Sequence, residues 1–203
     1  MTVHSFDRAM WILAAAGHDT DAILAAWNEP HRRYHTADAH PAPMLDDAFD
    51  VATRFDIAGD DLVSLIEMVA YHDIVYKVGA PAGSNEEESA IAYATHGSGR
   101  RRVDVADAIR GTTDHRHPRS FLAACLFDLD LAGLGRNYVE NGELVAAESG
   151  ADESDATWIA GRARWVESML ARPSIFHTAW GARYEHAARA ALGVDLTRLR
   201  SVS

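Results

Sequence analysis

The chain has 203 residues, enough for one domain with a hydrophobic core, and its apolar fraction of 48% is ordinary for a globular protein. Its formal net charge of −11 disfavours long nucleic acid as a partner, because an acidic surface repels polyanions. The single cysteine, Cys125, excludes a disulfide within the chain. Neither an export signal nor an apolar stretch of ~20 residues is visible, so we expect a soluble, cytoplasmic protein without membrane contact.

Helical periodicity covers nearly the whole chain and predicts an all-α protein with a single domain over residues 1–203. In chain order, helices are expected over residues 6–16, 21–28, 44–55, 60–76, 85–95, 100–111, 118–129, 141–148, 155–171 and 175–192. Residues 31–43 contain two prolines and are expected to form a loop, as is the Gly/Pro segment 78–84.

The clearest functional feature is the adjacent pair His72–Asp73 at the end of an apolar helical stretch. His72 follows Val69 by three residues and Met68 by four, so it shares their inward face. A lone inward histidine is usually a core residue with one hydrogen bond, but an adjacent carboxylate is costly to bury unless it meets a cation or strong donors. The pair therefore indicates a metal site.

Further histidines and aspartates lie before and after this pair. His35 and His40 precede it in the proline-containing loop, and Asp128 and Asp130 follow it in an apolar stretch. Imidazole and carboxylate ligands spread over about a hundred residues are typical of a metal held between helices, and not of a short-loop zinc finger.

These motifs resemble those of the HD superfamily of metal-dependent phosphohydrolases, and in particular a subfamily of small bacterial predicted phosphohydrolases. The resemblance is carried by EPHRRYH at 29–35, YHTADAH at 34–40, YHDIVY at 71–76, NEEESA at 85–90, FDLDLAGLG at 127–135 and RPSIFHT at 172–178. It extends over almost the full length of the chain. It implies an all-α, HD-type helical domain with a metal site between helices.

The resemblance also implies roles for single residues. His72, Asp73 and Asp130 are expected to bind the metal together with His40, while His35 is expected to protonate the leaving oxygen. His35 and His40 are five residues apart, where four is usual in the family. This departure leaves open whether His35 is the ligand instead.

Other candidate residues stand near these motifs. Glu86 and Asp128 are candidates to orient the attacking water, and His115 is a candidate ligand for a second metal. The candidates for substrate binding are Arg32, Arg33, Lys77 and Asn85. Alternatively, Asn85 and Glu86 only begin a helix with a favourable acidic first turn, and Asp128 only caps one.

The expected reaction is hydrolysis of a phosphoester in a small phosphorylated metabolite, such as a nucleotide, with one or two divalent ions from the set Mn, Co, Ni, Mg, Zn and Fe. One alternative is an HD-fold di-iron oxygenase, which uses additional histidines, here His115 and His117. Another is a metal-binding or nucleotide-binding protein with a degenerate site and no turnover. Neither the substrate nor the oligomeric state, monomer or homodimer, follows from the sequence.

Overall fold

The computed structural model describes residues 5–96, 101–151 and 155–202. Over these ranges the chain forms ten α-helices and two short 3-10 helices, with no strand, which confirms the predicted all-α class. The helices are α1 (Ser5–Ala15), α2 (Thr20–Trp27), α3 (Pro41–Phe55), α4 (Asp60–Tyr71), α5 (Ser84–His96), α6 (Arg102–Gly111), α7 (Phe121–Leu131), α8 (Tyr138–Ser149), α9 (Ala156–Leu170) and α10 (Glu185–Ser201), with 3-10 helices at Ala132–Gly135 and Gly181–Tyr184. None of the described helices is long and apolar enough to cross a membrane.

Most helix ends agree with the predicted bounds to within a few residues, but two predictions are wrong. The helix expected over 60–76 ends at Tyr71, so that His72 caps it and Asp73 lies in the following turn. The helix expected over 175–192 begins only at Glu185, after a 3-10 turn, and continues to Ser201. Residue 100, the first of the predicted helix 100–111, lies outside the described residues.

The segment before α10 is not helical because side-chain carboxylates accept its backbone hydrogen bonds. Glu185 accepts the N–H groups of Ile175 and Phe176 at 3.0 and 3.2 Å, and Asp128 accepts those of the next two residues at 2.7 Å each. Backbone donors that are satisfied in this way do not need a helix to remain buried.

The hydrophobic core lies around α4 and α7. Residues 64–71 of α4 and 122–129 of α7 are all buried, as expected for helices that other elements surround on every side. A second apolar cluster packs α9 against α10, where Val166 and Leu192 are fully buried.

The ends of four of these helices, α3, α4, α7 and α8, lie close together. His40 is the N-terminal cap of α3, His72 is the C-terminal cap of α4, and Asp130 and Glu148 lie in the last turns of α7 and α8. Regular structure thus positions each of these side chains, although they are far apart in the sequence.

Candidate metal centre

Two imidazoles and two carboxylates converge where α3, α4 and α7 meet. The Nε2 atoms of His40 and His72 lie 2.9 Å apart. Asp73 Oδ2 lies 3.1 Å from His72 Nε2 and 3.5 Å from His40 Nε2, and Asp130 Oδ1 lies 3.2 Å from His40 Nε2. The ligand atoms of His40, His72 and Asp73 all lie within 4.8 Å of one another, so these three residues could hold a metal ion.

The His72 ring is oriented by a backbone hydrogen bond. Its Nδ1 lies 2.9 Å from the carbonyl oxygen of Val69, which places the Nδ1 proton there and leaves the Nε2 lone pair of the neutral ring directed at the cluster. Ligating histidines in proteins are commonly oriented in this way. Two imidazole nitrogens beside two carboxylates form a donor set that suits a divalent transition metal.

Arg32 fixes the backbone on which Asp73 stands. Its guanidinium is fully buried and donates to the carbonyl oxygens of Asp73 and Ile74 at 2.8 and 2.9 Å, and to that of His35 at 3.3 Å. The sequence makes Arg32 a candidate for substrate binding. In the structure its N–H groups instead join the loop before α3 to the turn after α4.

Burial and charge act in opposite directions on the cluster. Burial by itself would lower the pKa of each imidazole, but the neighbouring carboxylates outweigh it, raising the pKa of His40 and raising that of His72 to about 9. Burial likewise opposes ionisation of Asp73 and Asp130, yet the imidazoles hold the pKa of both carboxyls well below their usual range. The ionised carboxylates need positive charge beside them, which imidazolium groups or a bound cation can supply.

His35 lies next to the cluster and is held by Glu148. The Nε2 atom of His35 lies 3.5 Å from Asp73 Oδ2, while its Nδ1 atom contacts the Glu148 carboxylate. Glu148 also accepts the backbone N–H groups of Tyr34 and His35 at 2.9 and 3.1 Å. Burial alone would raise the pKa of Glu148, but His35 and the backbone donors lower it to about 2. A buried, ionised carboxylate therefore sets the orientation of the His35 ring.

A cavity of about 330 Å³ opens beside the cluster, and Asp73, Asp130 and His35 form part of its wall. The rest of the wall is largely aromatic and apolar, with Tyr34, Tyr76, Leu131, Leu134, Tyr138, Val145 and Trp165. Arg162 is the one arginine or lysine among the described lining residues, and its guanidinium contacts Asp195 at 3.3 Å. The carboxylates and imidazoles of this wall suit a cation, and its aromatic and apolar part suits a flat or apolar group.

Asp128 and Asp130 face opposite sides of α7, because two residues on a helix differ by about 200°. Asp130 faces the cluster, and its Oδ2 atom lies 2.7 Å from His115 Nε2, so His115 orients this carboxylate. Asp128 is fully buried and accepts the N–H and hydroxyl groups of Thr178 at 2.7 and 2.6 Å. A Cβ atom on Gly181 would overlap this carboxylate. Instead of the predicted contact with water, Asp128 has a structural role.

The other candidates, Glu86 for water and Asn85, Arg33 and Lys77 for substrate, differ in their placement. Asn85 and Glu86 line the cavity, although the Asn85 amide also bridges the backbone N–H and carbonyl of Lys77 at 3.1 and 3.2 Å. The Lys77 ammonium pairs with Glu88 at 2.5 Å, and the Arg33 guanidinium donates to carbonyls of its own loop. Neither of these two basic side chains lies on the cavity wall.

Sequence reasoning missed Glu148 and the aromatic wall. Glu148 follows Val145 by three residues and Leu144 by four, so helical spacing could have placed it on an inward face. Tyr34, Tyr138 and Trp165 carried no such signal, because aromatic residues of an ordinary core have the same pattern.

Neither a protein-family model, nor a curated protein, nor a solved structure matches this chain. The described part of the chain itself supplies an all-α scaffold and a His40–His72–Asp73 group at metal-binding distances, beside a cavity.

Proposed function

We propose that the protein is a metal-dependent phosphohydrolase of the HD type that acts on a small phosphorylated metabolite. The observation that carries the proposal is the joint position of His40, His72, Asp73 and Asp130 next to a cavity of about 330 Å³. A metal ion bound there would polarise a phosphoryl oxygen and lower the pKa of a bound water.

All four side chains bind the metal ion in this proposal. His40 and His72 would hold the ion through their Nε2 atoms, and Asp73 and Asp130 through carboxylate oxygens. The hydrogen bond from His115 would keep the Asp130 carboxylate in place. One metal is the natural stoichiometry of this set, since His115 is already engaged with Asp130.

His35 is the group that we assign to proton transfer. Glu148 holds its Nδ1 side, so a proton on Nε2 lies at the cavity wall, where a leaving oxygen could accept it. Glu148 is a positioning residue, because it acts through His35 and does not line the cavity. Glu86 is the other carboxylate on the described wall outside the cluster, and we assign to it the orientation of water.

The cavity wall favours a substrate with a single phosphate group and a flat or apolar remainder, as in a nucleoside monophosphate. The aromatic side chains Tyr34, Tyr76, Tyr138 and Trp165 offer stacking surfaces. Arg162, already paired with Asp195, leaves little free positive charge for further phosphates. Polymeric nucleic acid is disfavoured by the net charge of −11.

The test is turnover of a panel of aryl phosphate monoesters, diesters and nucleotides, each with Mn²⁺, Co²⁺, Ni²⁺ or Mg²⁺. We expect metal-dependent release of phosphate or alcohol, lost in Asp73→Ala and retained in Asp46→Ala, whose exposed carboxylate has no role in the site. Metal content is measured on the same samples by elemental analysis.

Two results would reject the proposal. Oxygen uptake with two irons per chain, and no phosphoester turnover, would favour the oxygenase. Tight binding of a phosphorylated ligand without turnover under any metal would favour a binding protein.

A further inference from the structure

A second, smaller cavity of about 210 Å³ lies behind His115, between the loop 115–117 and the end of α9. Two arginines, Arg116 and Arg172, are on its wall together with His117 and His177. No aspartate or glutamate is among the described lining residues, in a chain with 30 acidic side chains. The cavity is thus a local concentration of positive charge on an acidic protein.

Neither arginine of this cavity forms a salt bridge with another described residue, whereas Arg110, Arg119 and Arg189 each do. The Asp114 carboxylate, the nearest in sequence, accepts the backbone N–H of Arg116 at 3.0 Å and lines a different cavity. Arg172 donates from Nη2 to the Asp114 carbonyl at 2.7 Å, while its Nε atom is buried with no acceptor. Burial and Arg116 together lower the pKa of the Arg172 guanidinium, and the Asp114 carboxylate offsets this only in part. Neither guanidinium therefore has a carboxylate in salt-bridge contact within the described part of the chain.

His115 adopts a left-handed backbone conformation that is uncommon for a residue other than glycine, with a φ of 54°. The carbonyl oxygen of His115 accepts hydrogen bonds from His177 Nε2 at 2.8 Å and from Arg172 Nη1 at 3.4 Å. Two side chains of the cavity thus hold this strained loop. Because the His115 ring contacts Asp130, the cavity shares one residue with the metal centre.

We infer that the cavity bounded by Arg116, Arg172, His117 and His177 binds a phosphate group, as a site separate from the metal centre. Guanidinium N–H groups match the oxygens of a tetrahedral oxyanion in geometry and charge, and His117 can add a donor. An anion of this size fits the cavity volume and would neutralise the two arginines. This inference does not depend on the proposed hydrolase activity.

Inorganic phosphate titrated into the full chain by isothermal calorimetry tests the site. We expect saturable binding that Arg116→Gln and Arg172→Gln each weaken about tenfold, the effect of losing one hydrogen bond to a charged group. Arg164→Gln is the matched control, because Arg164 is exposed and lies outside this cavity. Arg116 is exposed as well, so its variant tests the site even if Arg172→Gln fails to fold.

Parallel titrations separate the two anion sites and the two sources of phosphate. Binding retained in Asp73→Ala and weakened in Arg116→Gln supports the inference. Binding lost in Asp73→Ala but unchanged in Arg116→Gln would place the anion at the metal centre and overturn it, as would no binding by the native chain at millimolar phosphate. A titration with adenosine monophosphate identifies the source of the phosphate group. If adenosine monophosphate binds more tightly than inorganic phosphate, and Arg116→Gln weakens that binding, the ligand is an organic phosphate. If adenosine monophosphate binds equally or more weakly, the ligand is the free ion.

Discussion

Asp73 lies close to three histidines of the candidate site. Its Oδ2 atom lies 3.5, 3.5 and 3.1 Å from the Nε2 atoms of His35, His40 and His72. A single carboxylate oxygen thus faces one proposed proton donor and two proposed ligands. Removing it leaves three imidazoles close together without the charge that favours their present arrangement.

Replacing Asp73 by alanine is expected to abolish metal retention and lower the melting temperature, because a ligand and its charge are lost together. Elemental analysis and thermal melting of Asp73→Ala measure the two effects, with Asp46→Ala as the control. Full metal content and a native melting temperature in Asp73→Ala would show that the site is wrongly placed.

His35 and His40 are expected to respond differently to replacement by alanine. His40 is 4% exposed and lies 2.9 Å from His72, so His40→Ala should lose the metal. His35 is bound to Glu148 at the cavity wall, so His35→Ala should keep the metal and lose roughly 10²–10⁴-fold in kcat, the range for a general acid. The opposite pattern of metal contents would assign the ligand to His35.

The end of α8 is tied to the loop before α3 through Glu148. This carboxylate accepts backbone N–H groups from three consecutive residues, Arg33, Tyr34 and His35, as well as the His35 ring. A single side chain therefore holds together two elements that are more than a hundred residues apart. The orientation of His35, the proposed proton donor, depends on this contact between α8 and the loop.

Glu148→Gln is expected to destabilise the fold by about 3 kcal/mol at neutral pH, since a buried carboxylate with several donors is replaced by an amide that cannot accept them all. Urea unfolding measures the loss, and Glu143→Gln, an exposed change on the same helix, is the control. If the variant still folds, kcat should fall while metal content is unchanged, and an unaltered kcat would argue against a positioning role.

The low pKa of Glu148 predicts that the free energy of unfolding depends on pH in the acid range. The pKa of Glu148 is lowered from an ordinary 4.5 to about 2, so its contribution is complete above pH 4.5 and is lost as the pH falls from there toward 2. The stability of the native chain should therefore decline more steeply over this interval than that of Glu148→Gln. Parallel curves for the two proteins would contradict the low pKa.

On the scale of the whole fold, the cavity lies where the two apolar clusters meet. Leu131, Leu134, Tyr138 and Trp165 of its wall belong to the cluster of α9 and α10 or pack against it. The proposed metal ligands lie at the ends of α3, α4 and α7, whose buried residues form much of the larger core. A bound metal would thus join three helices of the larger core, next to the junction of the two clusters.

Metal removal is therefore expected to lower the stability of the entire chain. A ligand present at a thousandfold excess over its dissociation constant stabilises the folded state by about 4 kcal/mol, which corresponds to a melting shift of about 10 °C for a chain of this length. Melting with and without a chelator, followed by readdition of Mn²⁺ or Zn²⁺, measures this shift. A chelator-independent melting temperature in metal-loaded protein would contradict a structural contribution of the ion.

The sequence was sufficient for the helical class and for most helix positions, because the 3.6-residue period of apolar side chains is a local property. It also singled out His72 and Asp73, since a carboxylate beside an inward histidine is costly to bury without a partner. Local patterns failed over residues 175–184, where contacts with Asp128 and Glu185 replace the helix.

Only the tertiary structure decided which candidates share a site. It brought Asp130 to the cluster and Asp128 to Thr178, and it paired the donors of Arg32 with backbone carbonyl groups. It also placed Glu148 beside His35, a contact between distant segments that no local pattern encodes. Sequence spacing sets which face of a helix a side chain occupies, but the packing of helices determines what that face meets.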